Sequence, residues 1–200
     1  MARYMITHSL LYSWLYAMQD NPHGGERDAY QEFLQLLRRE PTPTTEAMQM
    51  GIDFENLVTD ILHDKGHVDN KWFEAAFDVA DIIRGGVLQL KAKRDLQVNG
   101  LDILLYGRLD ALKAGVVYDI KFSKTYERGK YLHSTQHPVY LSLLPEAREF
   151  SYLVSNGSSV WQETYRREET EDAQNIISDF LVWLDRQGLM ELYKEKWVTL

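Results

Sequence analysis

The stretch Ile103-Leu-Leu-Tyr-Gly-Arg-Leu-Asp-Ala-Leu-Lys-Ala-Gly-Val-Val-Tyr-Asp-Ile-Lys-Phe122 decides how the chain folds. Two runs rich in apolar and β-branched residues, 103–112 and Val116–Phe122, lie on either side of the segment Lys113-Ala-Gly115. Short apolar runs joined by a segment that contains glycine are typical of two paired strands. The stretch therefore predicts an antiparallel hairpin.

The register of this hairpin decides where its charged residues lie. An even loop centred between Ala114 and Gly115 places Asp110 directly opposite Asp119, with Cβ atoms about 4.5–5.5 Å apart. Lys121 lies two residues beyond Asp119 and so points to the same face. An odd loop would place the two aspartates on opposite faces. The sequence alone leaves both registers open.

The rest of the chain surrounds this hairpin with helices and further strands. Apolar periodicity predicts helices at His8–Met18, 28–39, 46–65, 72–83, 128–144 and 169–196, and strands at Val87–Val98, 150–154 and 160–165. A turn is predicted at Asn21–Gly25, and Gly66 is the predicted end of the third helix. This order predicts one α/β domain over 1–200, with a mixed central β-sheet flanked by helices. Within it we expect a mainly helical region at 1–84, a sheet core with an inserted helix at 87–165, and a C-terminal helix at 169–197.

Composition excludes several classes of function. The chain has no cysteine, which excludes disulfides, thiolate zinc sites and cysteine-held iron–sulfur clusters. No apolar run approaches the ~20 residues of a membrane span, so no membrane partner is expected. The net charge is −8, which argues against a protein that coats nucleic acid through phosphate contacts. It argues less against an enzyme whose bound cations supply positive charge.

Two directly opposed carboxylates repel each other, so Asp110 and Asp119 need a compensating charge. A divalent cation supplies it, and Mg²⁺ prefers oxygen ligands of this kind. A lysine beside such a cation can position or deprotonate an attacking water, or stabilise phosphate charge. The pattern therefore indicates phosphodiester chemistry.

Four ordered motifs carry a resemblance to a known superfamily. They are Gly51-x-x-x-Glu55 on an early helix, Gly107-x-x-Asp110, Asp119-x-Lys121, and Gln136-x-x-x-Tyr140 on the following helix. Together, over 51–144, they resemble the PD-(D/E)XK nucleases, in particular the RecB-type and lambda-exonuclease-like branch. The opening Ile6-Thr-His-Ser9 is weakly similar to the serine-bearing start of some relatives.

The resemblance implies a restriction-endonuclease-like core and an Mg²⁺- or Mn²⁺-dependent deoxyribonuclease. Its metal ligands would be Glu55, Asp110, Asp119 and the backbone carbonyl of Ile120. Its catalytic residues would be Glu55, Asp110, Asp119, Lys121, Gln136 and Tyr140. An exonuclease of DNA repair or recombination is expected, of a kind that phages also encode, in the cytoplasm of a bacterial or phage-infected cell. DNA, further copies of the chain and a recombination protein are the expected partners.

Each of these residues also has an ordinary structural interpretation. The aspartates can be solvent-facing strand residues, Lys121 their ion-pair partner, and Glu55 a surface residue. Tyr140 can be a core residue and Gln136 a backbone cap. Pro138 removes one helical hydrogen bond, so the predicted helix should start or kink there, and a start just before Pro138 would weaken the shared face of Gln136 and Tyr140. Two alternative functions are open: a non-catalytic DNA-binding or assembly module on the same fold, and an acidic structural protein with a chance motif.

Two further groups of residues have more than one interpretation. His133 and His137 have the i, i+4 spacing of a zinc pair but no convincing third ligand, so polar residues near a DNA channel are the preferred interpretation. A mixed basic and aromatic segment follows the catalytic strand, and such residues can hold a DNA strand or form a solvated loop. Its members are Tyr126, Arg128, Lys130 and Tyr131. Lys91, Lys93 and Arg94 are expected on an exposed strand edge.

Overall fold

A mixed β-sheet lies at the centre of the protein, and helices cover both of its faces. The computed structural model describes residues 2–19, 28–65 and 69–199. In these ranges the strands are β1 Arg3–Thr7, β2 Val87–Val98, β3 Leu101–Lys113, β4 Val116–Phe122, β5 Glu149–Ser155, β6 Val160–Arg166 and β7 Val198–Thr199. The helices are α1 His8–Met18, α2 Ala29–Leu37, α3 Glu46–Leu62, α4 Phe73–Ile83, α5 Gln136–Leu143, α6 Ala173–Arg186 and α7 Met190–Trp197, with a 3₁₀ turn at Arg167–Glu169. The predicted α/β class with a mixed sheet is confirmed.

The long strand β3 organises the sheet. One edge of β3 pairs with β2 in antiparallel fashion over nearly its whole length. Its other edge is shared by two strands: β1 runs parallel to residues 103–106, and β4 runs antiparallel to residues 111–113. Between them the segment Gly107–Asp110 has no strand partner on this edge among the residues that the structure describes. The sheet therefore forks at the second acidic motif.

The hairpin has the even register that places the two aspartates across from each other. Its inner pair is Lys113 with Val116, and Ala111 pairs with Tyr118. The two loop residues, Ala114 and Gly115, both have positive φ, 52° and 79°. A type I′ turn requires positive φ at both central positions, and its twist matches that of the flanking strands.

The sheet separates two apolar cores, and β3 changes faces between them. Ile103 and Leu109 pack into the core formed with α1, α2, α5, α6 and α7, whereas Ala111 packs into the core formed with α3 and α4. Residues of equal parity would share a face in a regular strand. The alternation is therefore interrupted at Asp110. Gln89 lies opposite on β2 and has a φ of 52°, a left-handed conformation that is uncommon outside glycine.

Polar side chains fix where several helices begin. The side chains of Thr7, Asp28, Thr45 and Asp172 accept hydrogen bonds from backbone N–H groups in the first turns of α1, α2, α3 and α6. Such caps satisfy donors that have no partner inside the helix. Because Thr7 is also the last residue of β1, His8 leaves the sheet directly at the fork.

The structure corrects three sequence predictions and adds a strand that the sequence analysis did not propose. This strand, β1, lies within residues 1–84 and pairs with a strand about a hundred residues away. The predicted helix 128–144 begins only at Gln136, which places Pro138 in the first turn, where no helical N–H bond is lost. The third helix ends at Leu62. The predicted C-terminal helix is divided at Gly188, whose φ is 67°, so that α7 turns back against β1.

Two predicted features, the turn at Asn21–Gly25 and the helix end at Gly66, lie outside the described residues. Within the described ranges, no helix combines the length and apolarity that crossing a membrane requires.

Candidate active site

The fork in the sheet exposes backbone groups, and side chains of the predicted site satisfy two of them. The carboxylate of Asp110 accepts a hydrogen bond from the Ile120 N–H at 2.7 Å. The hydroxyl of Tyr140 donates to the carbonyl of Arg108 at 2.8 Å. Backbone polar groups that are buried without partners are costly. These two bonds therefore stabilise the point where β3 and β4 separate.

Gly107 has a packing role at the same point. A Cβ atom on this residue would lie 2.7 Å from Cε1 of Tyr140 and 2.8 Å from Cδ1 of Leu143. Both neighbours belong to α5, so only glycine lets this helix approach β3 closely. The glycine of the Gly107-x-x-Asp110 motif therefore sets the position of the helix that carries Gln136.

Asp119 is the most connected carboxylate of the site. Its Oδ2 lies 2.8 Å from Nζ of Lys121, and its Oδ1 accepts a short hydrogen bond from the side-chain amide of Gln136. Asp119 and Gln136 are both buried. The Asp119 side chain thus has one cationic and one neutral partner, which fix its orientation.

The charged groups of the site shift one another's pKa values. Burial, followed by the negative charges of Asp119 and Glu55, raises the pKa of Asp110 well above its ordinary value. Burial by itself would lower the pKa of Lys121, but Asp119, Asp110 and Glu55 outweigh burial and raise it. Burial and the charge of Lys121 lower the pKa of His8 to about 3. At neutral pH Lys121 is therefore a cation and His8 is neutral.

Glu55 approaches the site from α3. Its Oε1 accepts a hydrogen bond from Nε2 of Gln89 at 2.8 Å and lies 3.9 Å from Nη2 of Arg108. The side-chain oxygen of Gln89 is buried and has no hydrogen-bond partner within the described ranges of the chain. Glu55 is close enough to affect the pKa values of Asp110 and Lys121. It is therefore an electrostatic member of the site, held by β2 and β3.

The structure brings all six predicted site residues to the fork. Asp119, Lys121 and Gln136 are in direct contact, while Asp110 and Tyr140 bind the backbone on either side of them. Among the residues that the structure describes, no three histidine, aspartate or glutamate side chains lie close enough to hold a metal ion as they stand.

A buried glutamate that the sequence interpretation missed organises the segment after β4. Glu163 of β6 accepts hydrogen bonds from the Tyr126 hydroxyl at 2.6 Å, from the backbone N–H groups of Gly129 and Tyr131 at 3.0 and 3.2 Å, and from the Tyr165 hydroxyl. Burial by itself would raise the pKa of Glu163, but these bonds outweigh it and lower that pKa. The only indication of this role in the sequence was that Glu163 is a charged residue inside a predicted strand and has aromatic residues on either side.

His8 and Thr135 were also missed as site residues. The Thr135 hydroxyl donates to the His8 carbonyl at 3.1 Å and lies 3.4 Å from Nδ1 of the His8 ring. These contacts join the start of α1 to the start of α5. The Ile6-Thr-His-Ser9 similarity was the only indication of His8.

The remaining predicted groups have divergent environments. Arg128 and Lys130 are exposed, whereas the ring of Tyr131 stacks on Tyr152 with centroids 4.3 Å apart. His137 is buried and stacks on Tyr165, but His133 is exposed outside α5. Lys91 and Lys93 are exposed as expected. Arg94 instead donates to the carbonyl of Ser142 at 2.6 Å.

Comparison with known proteins bears on the fold. No protein-family model and no curated protein matches the chain. A solved structure described as "Crystal structure of SSO0001" is similar, with a TM-score of 0.51 and 16% sequence identity. The similarity covers 92% of this chain and 77% of that chain. At this identity it supports the α/β architecture and carries no statement about activity.

Proposed function

We propose that this protein is a divalent-metal-dependent deoxyribonuclease of the PD-(D/E)XK type, using Mg²⁺ or Mn²⁺ to hydrolyse phosphodiester bonds. Within this class an exonuclease of DNA repair or recombination is the preferred form. The proposal places the protein in the cytoplasm of a bacterial or phage-infected cell. It also includes assembly with further copies of the chain and contact with a recombination protein.

One observation carries the proposal: β3 and β4 separate where Asp110, Asp119 and Lys121 meet. The hairpin ladder ends at Ala111 and Tyr118, so the next cross-strand position is available to side chains. A buried carboxyl group whose ionised form is disfavoured is uncommon in a purely structural role, and perturbed groups of this kind concentrate at functional sites.

The donor atoms are oxygens, the type of ligand that a hard divalent cation prefers. Asp110 and Asp119 offer carboxylate oxygens, and a cation between them would offset the repulsion that raises the pKa of Asp110. The backbone N–H and carbonyl of one strand residue face the same neighbouring strand. Because the N–H of Ile120 donates to Asp110, the carbonyl of Ile120 points to the same side. Glu55 would complete the set directly or through water, which is common for Mg²⁺.

The protein's own residues supply positioning and charge. A divalent cation contributes Lewis acidity toward phosphate and water. Lys121, held by Asp119 as a cation, is placed to neutralise charge that develops on the phosphate. Gln136 fixes the Asp119 side chain, and Tyr140 fixes the backbone at Arg108. These contacts keep the site in one geometry, which is what efficient charge stabilisation requires.

The test is digestion of end-labelled linear DNA and closed circular DNA, single- and double-stranded, with Mg²⁺, Mn²⁺ or EDTA. We expect metal-dependent release of labelled nucleotides from linear DNA only. In single-turnover reactions Asp119→Asn and Lys121→Ala should each lower the rate by about 10²-fold or more. Lys194→Ala is the matched control, because it removes a lysine ion pair on α7 away from the fork.

Full activity of Lys121→Ala would remove this mechanism. Absence of turnover, together with DNA binding that does not require Asp119, would instead favour the non-catalytic DNA-binding or assembly module. Binding of Mn²⁺, followed by calorimetry, should weaken in both Asp110→Asn and Asp119→Asn if the carboxylates are ligands.

A further inference from the structure

The helix α1 presents a row of aromatic rings beside the candidate active site. His8, Tyr12 and Tyr16 are spaced by four residues and therefore lie on one helix face. The ring centroids of His8 and Tyr12 are 6.2 Å apart. The ring centroids of Tyr12 and Tyr16 are 6.3 Å apart, and the planes of these two rings are inclined by 18° to each other. The Tyr12 residue is 46% exposed. A π surface thus recurs about every 6 Å along the helix.

The row leads into a cavity that reaches the catalytic lysine. This cavity has a volume of about 310 Å³, and its lining includes Tyr12, His8, Lys121, Tyr131 and Gln136. Such a volume is at the low end for small-ligand sites, which start at roughly 300 Å³, so it suits one nucleotide and not a duplex. Across the cavity from α1, Tyr131 is held in place by its stacking on Tyr152.

The cations near this surface belong to other segments and not to α1. The eleven residues of α1 contain no lysine, arginine, aspartate or glutamate, so its aromatic face offers no phosphate contact through a charged side chain. Nζ of Lys130 is 6.0 Å from the centroid of the Tyr131 ring, and Lys121 lines the cavity together with His8. This arrangement matches a strand whose bases lie along the α1 rings and whose phosphates lie beside the two lysines.

We propose that the row of His8, Tyr12 and Tyr16, with Tyr131 opposite, stacks the bases of single-stranded DNA next to the scissile phosphate. The inference rests on the proposed nuclease function and specifies its substrate as a strand with unpaired bases. Aromatic rings bind any base through its π face, whereas the bases of a duplex already stack on each other and are paired. Because the chain is acidic, stacking supplies affinity that phosphate contacts alone would not.

The test is fluorescence anisotropy with a labelled oligo(dT) of about 12 nucleotides and the same label on a duplex of equal length, in Ca²⁺ and in EDTA. Stacking is worth about 1–3 kcal/mol per base, so Tyr12→Ala should weaken single-strand binding by about 5- to 150-fold. Tyr12→Phe keeps the ring and should bind like the wild type. Phe77→Ala is the control, because Phe77 is 43% exposed on α4, across the sheet from α1.

The inference is supported if Tyr12→Ala, but neither Tyr12→Phe nor Phe77→Ala, weakens binding of the single strand while leaving duplex binding unchanged. It is overturned if the wild type prefers the duplex, if Tyr12→Ala binds the single strand normally, or if both DNA forms are affected equally. Cleavage by the wild type and by Lys121→Ala is measured separately in Mg²⁺. Tyr12-dependent binding of the single strand without cleavage by the wild type would remove the nuclease and retain the stacking row, whereas cleavage by the wild type without dependence of binding on Tyr12 would do the reverse.

Discussion

The ion pair between Lys121 and Asp119 should contribute far more to stability than a surface pair does. Nζ of Lys121 and Oδ2 of Asp119 are 2.8 Å apart, and their side chains are 31% and 11% exposed. The pair of Lys194 and Glu191 has a similar separation of 3.0 Å and an equally exposed lysine, 32%, but its glutamate is 87% exposed. The exposed fractions of the two lysine side chains are therefore similar, but the acids differ in burial, and Lys121 also lies near the charges of Asp110 and Glu55.

Lys121→Ala leaves a carboxylate that water reaches poorly, whereas Lys194→Ala leaves one that is fully hydrated. Breaking a buried pair costs about 3–5 kcal/mol, and because Lys121 is partly exposed we expect about 2–3 kcal/mol. For Lys194→Ala we expect little or no loss of stability, because a solvent-exposed ion pair contributes little. The measurement is the free energy of unfolding from urea denaturation at about pH 7.5 in EDTA.

A double-mutant cycle separates the pair from other effects. Asp119→Asn removes the charge that Lys121→Ala leaves without a partner, so the double variant should be more stable than Lys121→Ala alone. The neutral side chain can still meet Gln136. Our reasoning fails if Lys121→Ala loses no more stability than Lys194→Ala, or if the two substitutions at the site are simply additive.

Two further predictions concern packing and the segment after β4. Gly107→Ala should destabilise the protein by about 1–3 kcal/mol in urea denaturation, because its methyl group would overlap the Tyr140 ring, and it should lower turnover. Gly51→Ala is the control: apart from its chain neighbours and the backbone of its own helix, no described atom lies within 4 Å of the new methyl group, so this variant should be neutral or stabilising. Equal losses of stability in the two variants would contradict this account. Glu163→Gln should lower the free energy of unfolding by about 1–3 kcal/mol near neutral pH. Trypsin should also cleave this variant faster than the wild type after Arg128. Folding lowers the pKa of Glu163, so the ionised carboxylate stabilises the folded protein at pH values above its unfolded pKa, near ~4.3. This stabilisation is lost as the pH falls through the folded pKa, so the stabilities of the wild type and Glu163→Gln should converge in acid. A stability difference that stays constant across pH would contradict this prediction.

The sequence by itself determined the hairpin and the chemistry that it carries. The run from Ile103 to Phe122 contains both strands and their turn, so local preferences are sufficient: Gly115 adopts positive φ without cost, and the β-branched residues favour extended backbone. Side-chain alternation places Lys121 on the same face as Asp119. The sequence left the register that relates Asp110 to Asp119 open, and the two-residue turn of the structure decided it. Pro138 indicated either a start or a kink in the predicted helix 128–144, and the structure shows a start, because a proline loses no helical hydrogen bond in the first turn.

Only the tertiary structure decided how this hairpin becomes a site. The pairing of Tyr4 with Ile103 joins residues about a hundred positions apart, and no local pattern encodes such a choice of partner. That pairing creates the fork in β3, brings His8 to it, and leaves the backbone that Asp110 and Tyr140 bind. The hydrogen bonds that Glu163 accepts are equally non-local. Their energy depends on burial, and burial exists only after the helices and the sheet have packed together.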